Sequence, residues 1–352
     1  MIKVLVVEDS PVARELLVHI LTQDAKIKVI GHARSGEEAI EVLERLKPDV
    51  ITMDIHLPEM DGFETTRRIM ETHPLPIVIV TGTSRAKDVS MAMKAMEAGA
   101  LAVVQKPRGV GHPDYEGEAA KLVQTVKLMS EVRVVRRWAR YREEAQVQTR
   151  NKVKLDRSAQ IKMVAIGAST GGPPAIQKIL SGLPKNFPVP VLIVQHIAEG
   201  FTQGFAEWLG QTSSLPVHVA LHGEYILPGH VYIAPDELQM KVKVDRIWLS
   251  KDDHENGLRP SVSVLFLSVA EEFGKNAIGV LLTGMGKDGA KELKLMKEKG
   301  AMTIAQDKES SVIHGMPGEA INLDAAIYVL PPEKIACALA DLVNNSNKQI
   351  GG

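Results

Sequence analysis

Residues 161–174 constrain the fold more than any other stretch: the apolar run I-K-M-V-A-I stops at Gly167 and gives way to A-S-T-G-G-P-P. A short apolar run that changes abruptly to small residues and prolines reads as a buried parallel strand feeding a sharp turn and then a helix. Within the turn, Gly167, Ser169 and Gly171 form G-x-S-x-G, a spacing that permits a tight strand-to-helix reversal and presents a serine hydroxyl above a sheet. The same serine could instead only cap the next helix, with Pro173 in its first turn. A phosphate-binding loop fits less well, because no Gly-Lys-Ser/Thr follows the glycines.

With 352 residues, 45% of them hydrophobic, the chain is long enough for two domains with separate cores. A formal net charge of −1 gives no general attraction to nucleic acid or anionic membrane. The single cysteine, Cys337, excludes an internal disulfide framework and fits a reducing cytoplasm; its place in I-A-C-A-L-A-D-L suggests a helix core position. The opening M-I-K-V-L-V-V-E-D is too short an apolar run for a signal peptide, and no run of about 18 apolar residues follows. A soluble, cytoplasmic protein with no membrane insertion is expected.

Strand and helix signals alternate through the first half: strands over 2–7, 28–32, 50–53, 77–80 and 101–104, separated by helices to 21, over 37–46, from 63 and over 86–97. These are five βα units. Open parallel sheets place their sites at the carboxyl ends of strands, which is where Glu8, Asp9 and Asp54 fall. Each acid alone could be a surface loop carboxylate, but three at successive strand ends suit Mg²⁺ and a phosphoryl group. Thr81 could add a hydroxyl and Lys106 a charge at the same place. These residues, with D-I-H-L-P-E-M-D-G and K-P, resemble a response-regulator receiver domain. The resemblance implies a flavodoxin-like (βα)5 fold, Asp54 as phosphoacceptor, Glu8, Asp9 and Asp54 as metal ligands, and Thr81 and Lys106 as switch residues. Receivers usually carry an aromatic where this chain has Val103, so an aromatic rotation cannot be its output signal.

Leu122, Val126, Met129 and Val132 share a helical face, so the last receiver helix is expected to run on toward residue 140. Arg133, Arg136, Arg137, Arg140 and Arg142, with Trp138 and Tyr141, then form a basic aromatic run of a kind that can grip nucleic acid. A solvated interdomain helix is the ordinary explanation of such a run beside a boundary, and nucleic acid is not expected as a partner.

After the Ser169 turn, a helix over 175–183 leads to a strand ending at His196, so the serine and a histidine terminate consecutive strands, which are neighbours in most parallel sheets. Further strands are expected over 217–222, 231–234, 277–282, 302–306 and 326–330, a hairpin over 240–250, and helices over 290–299, 318–323 and 333–343. Asp288, in T-G-M-G-K-D-G-A, precedes the helix from 290 and could cap it. Among 11 histidines, His314 is the second candidate base. His218 and His222 are too far apart on a strand to share a zinc ion. Taken together, Ser169 as nucleophile, His196 as base and Asp288 as its orienting carboxylate describe acyl transfer. The order Ser, His, Asp differs from the α/β-hydrolase order.

G-A-S-T-G-G-P-P, I-V-Q-H, V-Y-I-A-P, R-P-S-V, L-L-T-G-M-G-K-D-G-A, I-A-Q-D and G-M-P-G-E-A resemble the catalytic domain of chemotaxis protein-glutamate methylesterases, the CheB family. The resemblance implies a receiver over 1–125, a helical and basic linker over 126–159, a second α/β, mostly parallel-sheet esterase domain over 160–345 and a disordered tail over 346–352. It implies hydrolysis of glutamate methyl esters on a chemoreceptor's cytoplasmic domain, with glutamine deamidation as a related activity, under control of an upstream histidine kinase. No cofactor is expected for the ester chemistry and Mg²⁺ only for the receiver. The backbone N–H groups of Met285 and Thr170 are the expected oxyanion donors. Family members usually carry His where this chain has Gln239 and Asp where it has Ser263, and an altered cleft surface is the expected effect. Those departures also motivate the alternative of a phosphorylation-gated binding module that does not hydrolyse.

Overall fold

The computed structural model describes residues 1–82, 86–132, 134, 160–255 and 257–348. The chain divides into two compact units, Met1–Glu144 and Ala145–Gly352. The basic run expected in the linker lies outside the described residues.

The first unit alternates β1 (Ile2–Val7), α1 (Pro11–Thr22), β2 (Ile27–Ala33), α2 (Gly36–Leu46), β3 (Val50–Met53), α3 (Gly62–Thr72), β4 (Ile77–Thr81), α4 (Ala86–Ala98), β5 (Ala102–Gln105) and α5 (Tyr115–Ser130). Its parallel sheet has the order β2-β1-β3-β4-β5. Short polar side chains start the helices: Ser10 accepts from the Ala13 N–H, Ser35 from Glu38 and Asp61 from Glu64. The last helix stops at Ser130, with the Glu131 N–H already folded back to Leu128 and Met129 carbonyls. It therefore does not run on toward residue 140. The apolar stripe Leu122, Val126 and Met129 is buried on this unit and is used up there.

The second unit consists of β6 (Met163–Ala168), α6 (Gly172–Ser181), β7 (Val191–Gln195), α7 (Thr202–Thr212), β8 (Val217–Val219), β9 (Val231–Ile233), β10 (Gln239–Lys243), β11 (Arg246–Ser250), α8 (Val262–Phe273), β12 (Ala277–Leu281), α9 (Ala290–Glu298), β13 (Met302–Gln306), α10 (Met316–Asn322), β14 (Tyr328–Leu330) and α11 (Pro332–Lys348). Seven parallel strands have the order β14-β13-β12-β6-β7-β9-β8. Strands β7, β8 and β9 lie on one side of β6 and β12, β13 and β14 on the other. The β6/β12 boundary is thus a topological switch point, where open sheets form their crevices.

Helices α7 and α8 have no counterpart in the sequence expectations. Val262, Leu265, Phe266, Val269 and Ala270 of α8 are buried in one core with Met163, Ala165, Leu192 and Leu281 from the sheet and Met240, Val242 and Ile247 from the β10–β11 ribbon. A helix covered on two sides is apolar nearly all round, so it loses the 3.6-residue stripe by which sequence periodicity finds helices. Two further expectations are corrected. Cys337 is exposed, since α11 buries Ile335, Ala336, Leu339 and Val343 and turns the cysteine to the other side. The same helix continues to Lys348, into the stretch 346–352 where a disordered tail was expected.

Phe266 has 0% exposure, and truncating such a ring leaves a cavity as well as losing its burial. Phe266→Ala should cost about 3–5 kcal/mol in equilibrium chemical denaturation of the full chain. A loss below about 1 kcal/mol would mean that α8 is not part of the core.

Candidate active site

The serine turn is held from both sides. In the β6–β7 register Ala168 faces Gln195, and the His196 N–H donates to the Ala168 carbonyl (3.0 Å). Ser169 and His196 are therefore opposite one another across a strand spacing of about 4.8 Å. On the other flank the Ser169 N–H donates to the Thr283 carbonyl (3.0 Å), just beyond β12. The helix that follows is capped by Gly171 in the left-handed region (φ 79°), with no side-chain cap. Ser169 therefore does not cap α6, and its side chain stands half-buried above the sheet. Gly284 gives the serine its room: a β-carbon there would lie 2.7 Å from Ser169 Cβ and 2.4 Å from Met316 Sδ.

His196 Nε2 lies 3.0 Å from Asp288 Oδ2. With Nε2 turned to the carboxylate, Nδ1 is the ring nitrogen left for the serine side. Asp288 does not cap α9, whose N-cap is Gly289 (φ 81°). It caps α8 instead. Ser261 Oγ (2.7 Å) and the Ser263 N–H (3.1 Å) donate to Oδ1, and the Val262 N–H (2.6 Å) donates to Oδ2. The positive end of a helix dipole thus faces a carboxylate only 5% exposed. Burial pushes the Asp288 carboxyl up, but the hydrogen bond and charge of His196 and the bonds from Ser261 and Ser263 outweigh it and hold it below its ordinary value.

Gln239 and Ser263 do not line a cleft surface, because both are buried and both support this carboxylate. Gln239 Oε1 accepts from the Ser261 N–H (2.9 Å), while its Nε2 donates to the Leu258 (3.0 Å) and Asp253 (3.2 Å) carbonyls. Ser263 Oγ donates to Glu292 (2.6 Å) and accepts from the Gly289 N–H (2.9 Å). No single-residue signal gives the role of Gln239 or Ser261, because that role exists only once α8 is folded against the Asp288 loop.

The Thr170 and Met285 N–H groups flank Ser169, and among the described residues neither donates to a protein acceptor. His314 forms a bridge with Gly284 of the glycine loop, and its Nδ1 lies 3.3 Å from Ser311 Oγ. An open cleft of about 380 Å³ lies beside the glycine loop, between Gly286, Lys287, His314, Gly315 and Glu319. His218 pairs with Glu224 (3.2 Å) and His222 with the Leu249 carbonyl (2.9 Å), so they have separate partners.

In the first unit, ligand atoms of Glu8, Asp9 and Asp54 lie within 4.8 Å of one another. Lys106 Nζ is 2.8 Å from Glu8 Oε2 and 3.2 Å from Asp54 Oδ2, and the Ile55 N–H donates to Asp54 Oδ1 (2.7 Å). Burial raises the Glu8 carboxyl, which the Lys106 hydrogen bond only partly offsets. Thr81 Oγ1 is buried without a partner among the described residues. Val103 is half-buried on β5.

Two parallel α/β units, one with an acidic strand-end pocket and one with serine, histidine and aspartate at a switch point, define a receiver coupled to an esterase-type domain. The comparisons agree. Residues 164–339 match the CheB methylesterase family and residues 4–112 match the response regulator receiver domain. The chain belongs to the CheB methylesterase family. It is 59% identical over 345 residues to the protein-glutamate methylesterase/protein-glutamine glutaminase of Nitrosospira multiformis, covering 97% of each chain. It is 56% identical to a protein of the same name from Syntrophus aciditrophicus, covering 98% of this chain and 99% of the relative. The crystal structure of the Thermotoga maritima CheB methylesterase catalytic domain matches with a TM-score of 0.51 and 43% identity, over 53% of this chain and all (100%) of that one.

The lowered Asp288 carboxyl has a signed consequence. A carboxylate depressed in the folded state contributes stability that is full above its unfolded value of about 3.9 and is lost as pH falls through the folded value. The stability difference between wild type and Asp288→Asn should therefore shrink as denaturation is repeated below about pH 4. A difference that widens in acid would reverse the sign of this interaction.

Proposed function

We propose that this chain is a serine esterase that removes methyl groups from glutamate side chains on a chemoreceptor's cytoplasmic domain and also deamidates receptor glutamine. The single observation that carries this reading is the His196–Asp288 pair set across the strand end from Ser169. Ser169 Oγ attacks the γ-carbonyl as His196 Nδ1 takes its proton, and Asp288 holds the ring and the imidazolium charge. The oxyanion that forms is stabilised by the unused N–H groups of Thr170 and Met285. The imidazolium returns its proton to the leaving methoxide, releasing methanol; with glutamine the leaving group is ammonia. Water, activated by the same imidazole, then cleaves the acyl-serine and leaves glutamate. Gln239 and Ser263 support Asp288, which removes the motive for a non-hydrolytic output domain.

Ser169→Ala should lower methanol release from a methylated receptor fragment by about 10⁶-fold with the fold intact. His196→Ala should be about as damaging, and Asp288→Asn should cost about 10⁴-fold. If His314→Ala were inactive and His196→Ala active, the base would be His314.

For the first unit, the reading is that a histidine kinase supplies a phosphoryl group to Asp54. Glu8, Asp9 and Asp54 suit a divalent ion because their oxygens converge while Glu8 is held by one lysine against two neighbouring acids. Mg²⁺ bound there would neutralise charge during transfer. The phosphoryl group adds about −1.5 to −2 charges, which the Lys106 ammonium and the Thr81 hydroxyl can meet. Asp54→Ala should hold the esterase at its basal rate when a small phosphodonor and Mg²⁺ are added, whereas wild type should accelerate. Equal acceleration of both would place the regulation elsewhere.

A further inference from the structure

Gln195 lies between Ser169 and His196 without belonging to either loop's chemistry. It ends β7, is 5% exposed, and its Nε2 donates to two backbone carbonyls, those of Ser169 (2.8 Å) and His196 (2.8 Å). With two acceptors on one side, the amide nitrogen must face them, and Oε1 is left buried with no partner among the described residues. That oxygen occupies the space a β-carbon on Gly172 would fill, at 2.0 Å. A buried polar atom without a partner carries a desolvation cost, which this site bears in order to spend both amide hydrogens on the two loops.

We infer that Gln195 is a positioning residue that aims the oxyanion-stabilising N–H of Thr170 and fixes the serine loop to the histidine loop. This inference rests on the serine-esterase reading above. In a trans peptide the C=O and the N–H point in opposite directions. The Ser169 carbonyl and the Thr170 N–H belong to one peptide plane. Gln195 Nε2 and the Gly172 N–H (2.8 Å) both hold that carbonyl, so the Thr170 N–H is turned to the opposite side. The next plane is fixed in the same way, as Thr283 Oγ1 donates to the Thr170 carbonyl (2.9 Å) and Gln306 Oε1 accepts from the Thr283 N–H (2.8 Å). The Gly172 bond belongs to the turn itself, whereas Gln195 is the side chain that ties the turn to the neighbouring strand.

The test uses the full-length protein and methanol release from a methylated receptor fragment. Gln195→Met keeps the length and removes the donors; kcat should fall about 10–100-fold, below the loss expected for deleting an oxyanion donor, with KM within about twofold. Gln195→Glu gives a second readout, because a buried carboxyl resists ionisation and donates one hydrogen bond only when protonated. Its kcat divided by that of wild type should rise as pH falls. His196 and Asp288 are present in both proteins, so the ratio reports what the substitution changes. Unchanged kcat in Gln195→Met, or a Gln195→Glu ratio flat with pH, overturns the inference. Ser169→Ala run in parallel separates the two levels: activity surviving there overturns the esterase reading, whereas its loss beside a fully active Gln195→Met overturns only the positioning role.

Discussion

The second unit depends on one buried charge and the way it is neutralised. Asp288 is almost inaccessible to water, and an isolated carboxylate there would protonate. Two backbone N–H groups from the start of α8, one serine hydroxyl and the His196 ring keep it ionised. Hydrogen bonds to a charged group contribute about 1.5–3 kcal/mol each, so helix and carboxylate stabilise each other. The aspartate completes the helix, and the helix keeps the aspartate charged for the histidine.

That arrangement requires α8 to approach the sheet closely. A β-carbon on Gly167 would meet Val262 Cγ1 at 2.2 Å and one on Gly289 would meet it at 2.4 Å. The glycines that flank the serine and follow the aspartate are therefore needed for packing as much as for turning. Gln239 then pins the Leu258–Ser261 approach to α8 and supports the helix start.

The first unit uses the opposite strategy at its own strand ends. Its carboxylates face one another with a single lysine between them, and one hydroxyl, Thr81, is buried without a partner among the described residues. Such a site is incompletely compensated and responds strongly to an added cation or anion. In the second unit the Asp288 charge is met by four donors, as a constant catalytic geometry needs.

The sequence by itself determined the two α/β units, the strand ends that carry Glu8, Asp54, Thr81, Ser169 and His196, and the residue types of the acyl-transfer chemistry. Parallel strands announce themselves as apolar runs, and their carboxyl ends are where such folds place reactive groups. Position along the chain was enough for those residues because each ends its strand or follows it directly. The tertiary structure decided what distant segments do to one another. It identified α8, whose apolar faces are divided between sheet and ribbon and show no stripe. It gave Asp288 its cap from residues 261–263 and turned Gln239, Ser263 and Gln195 into supports for backbone groups. It also turned Cys337 outward and ended the receiver helix at Ser130. These contacts join segments far apart in sequence or depend on which side of a helix faces the core, and local periodicity carries neither kind of information.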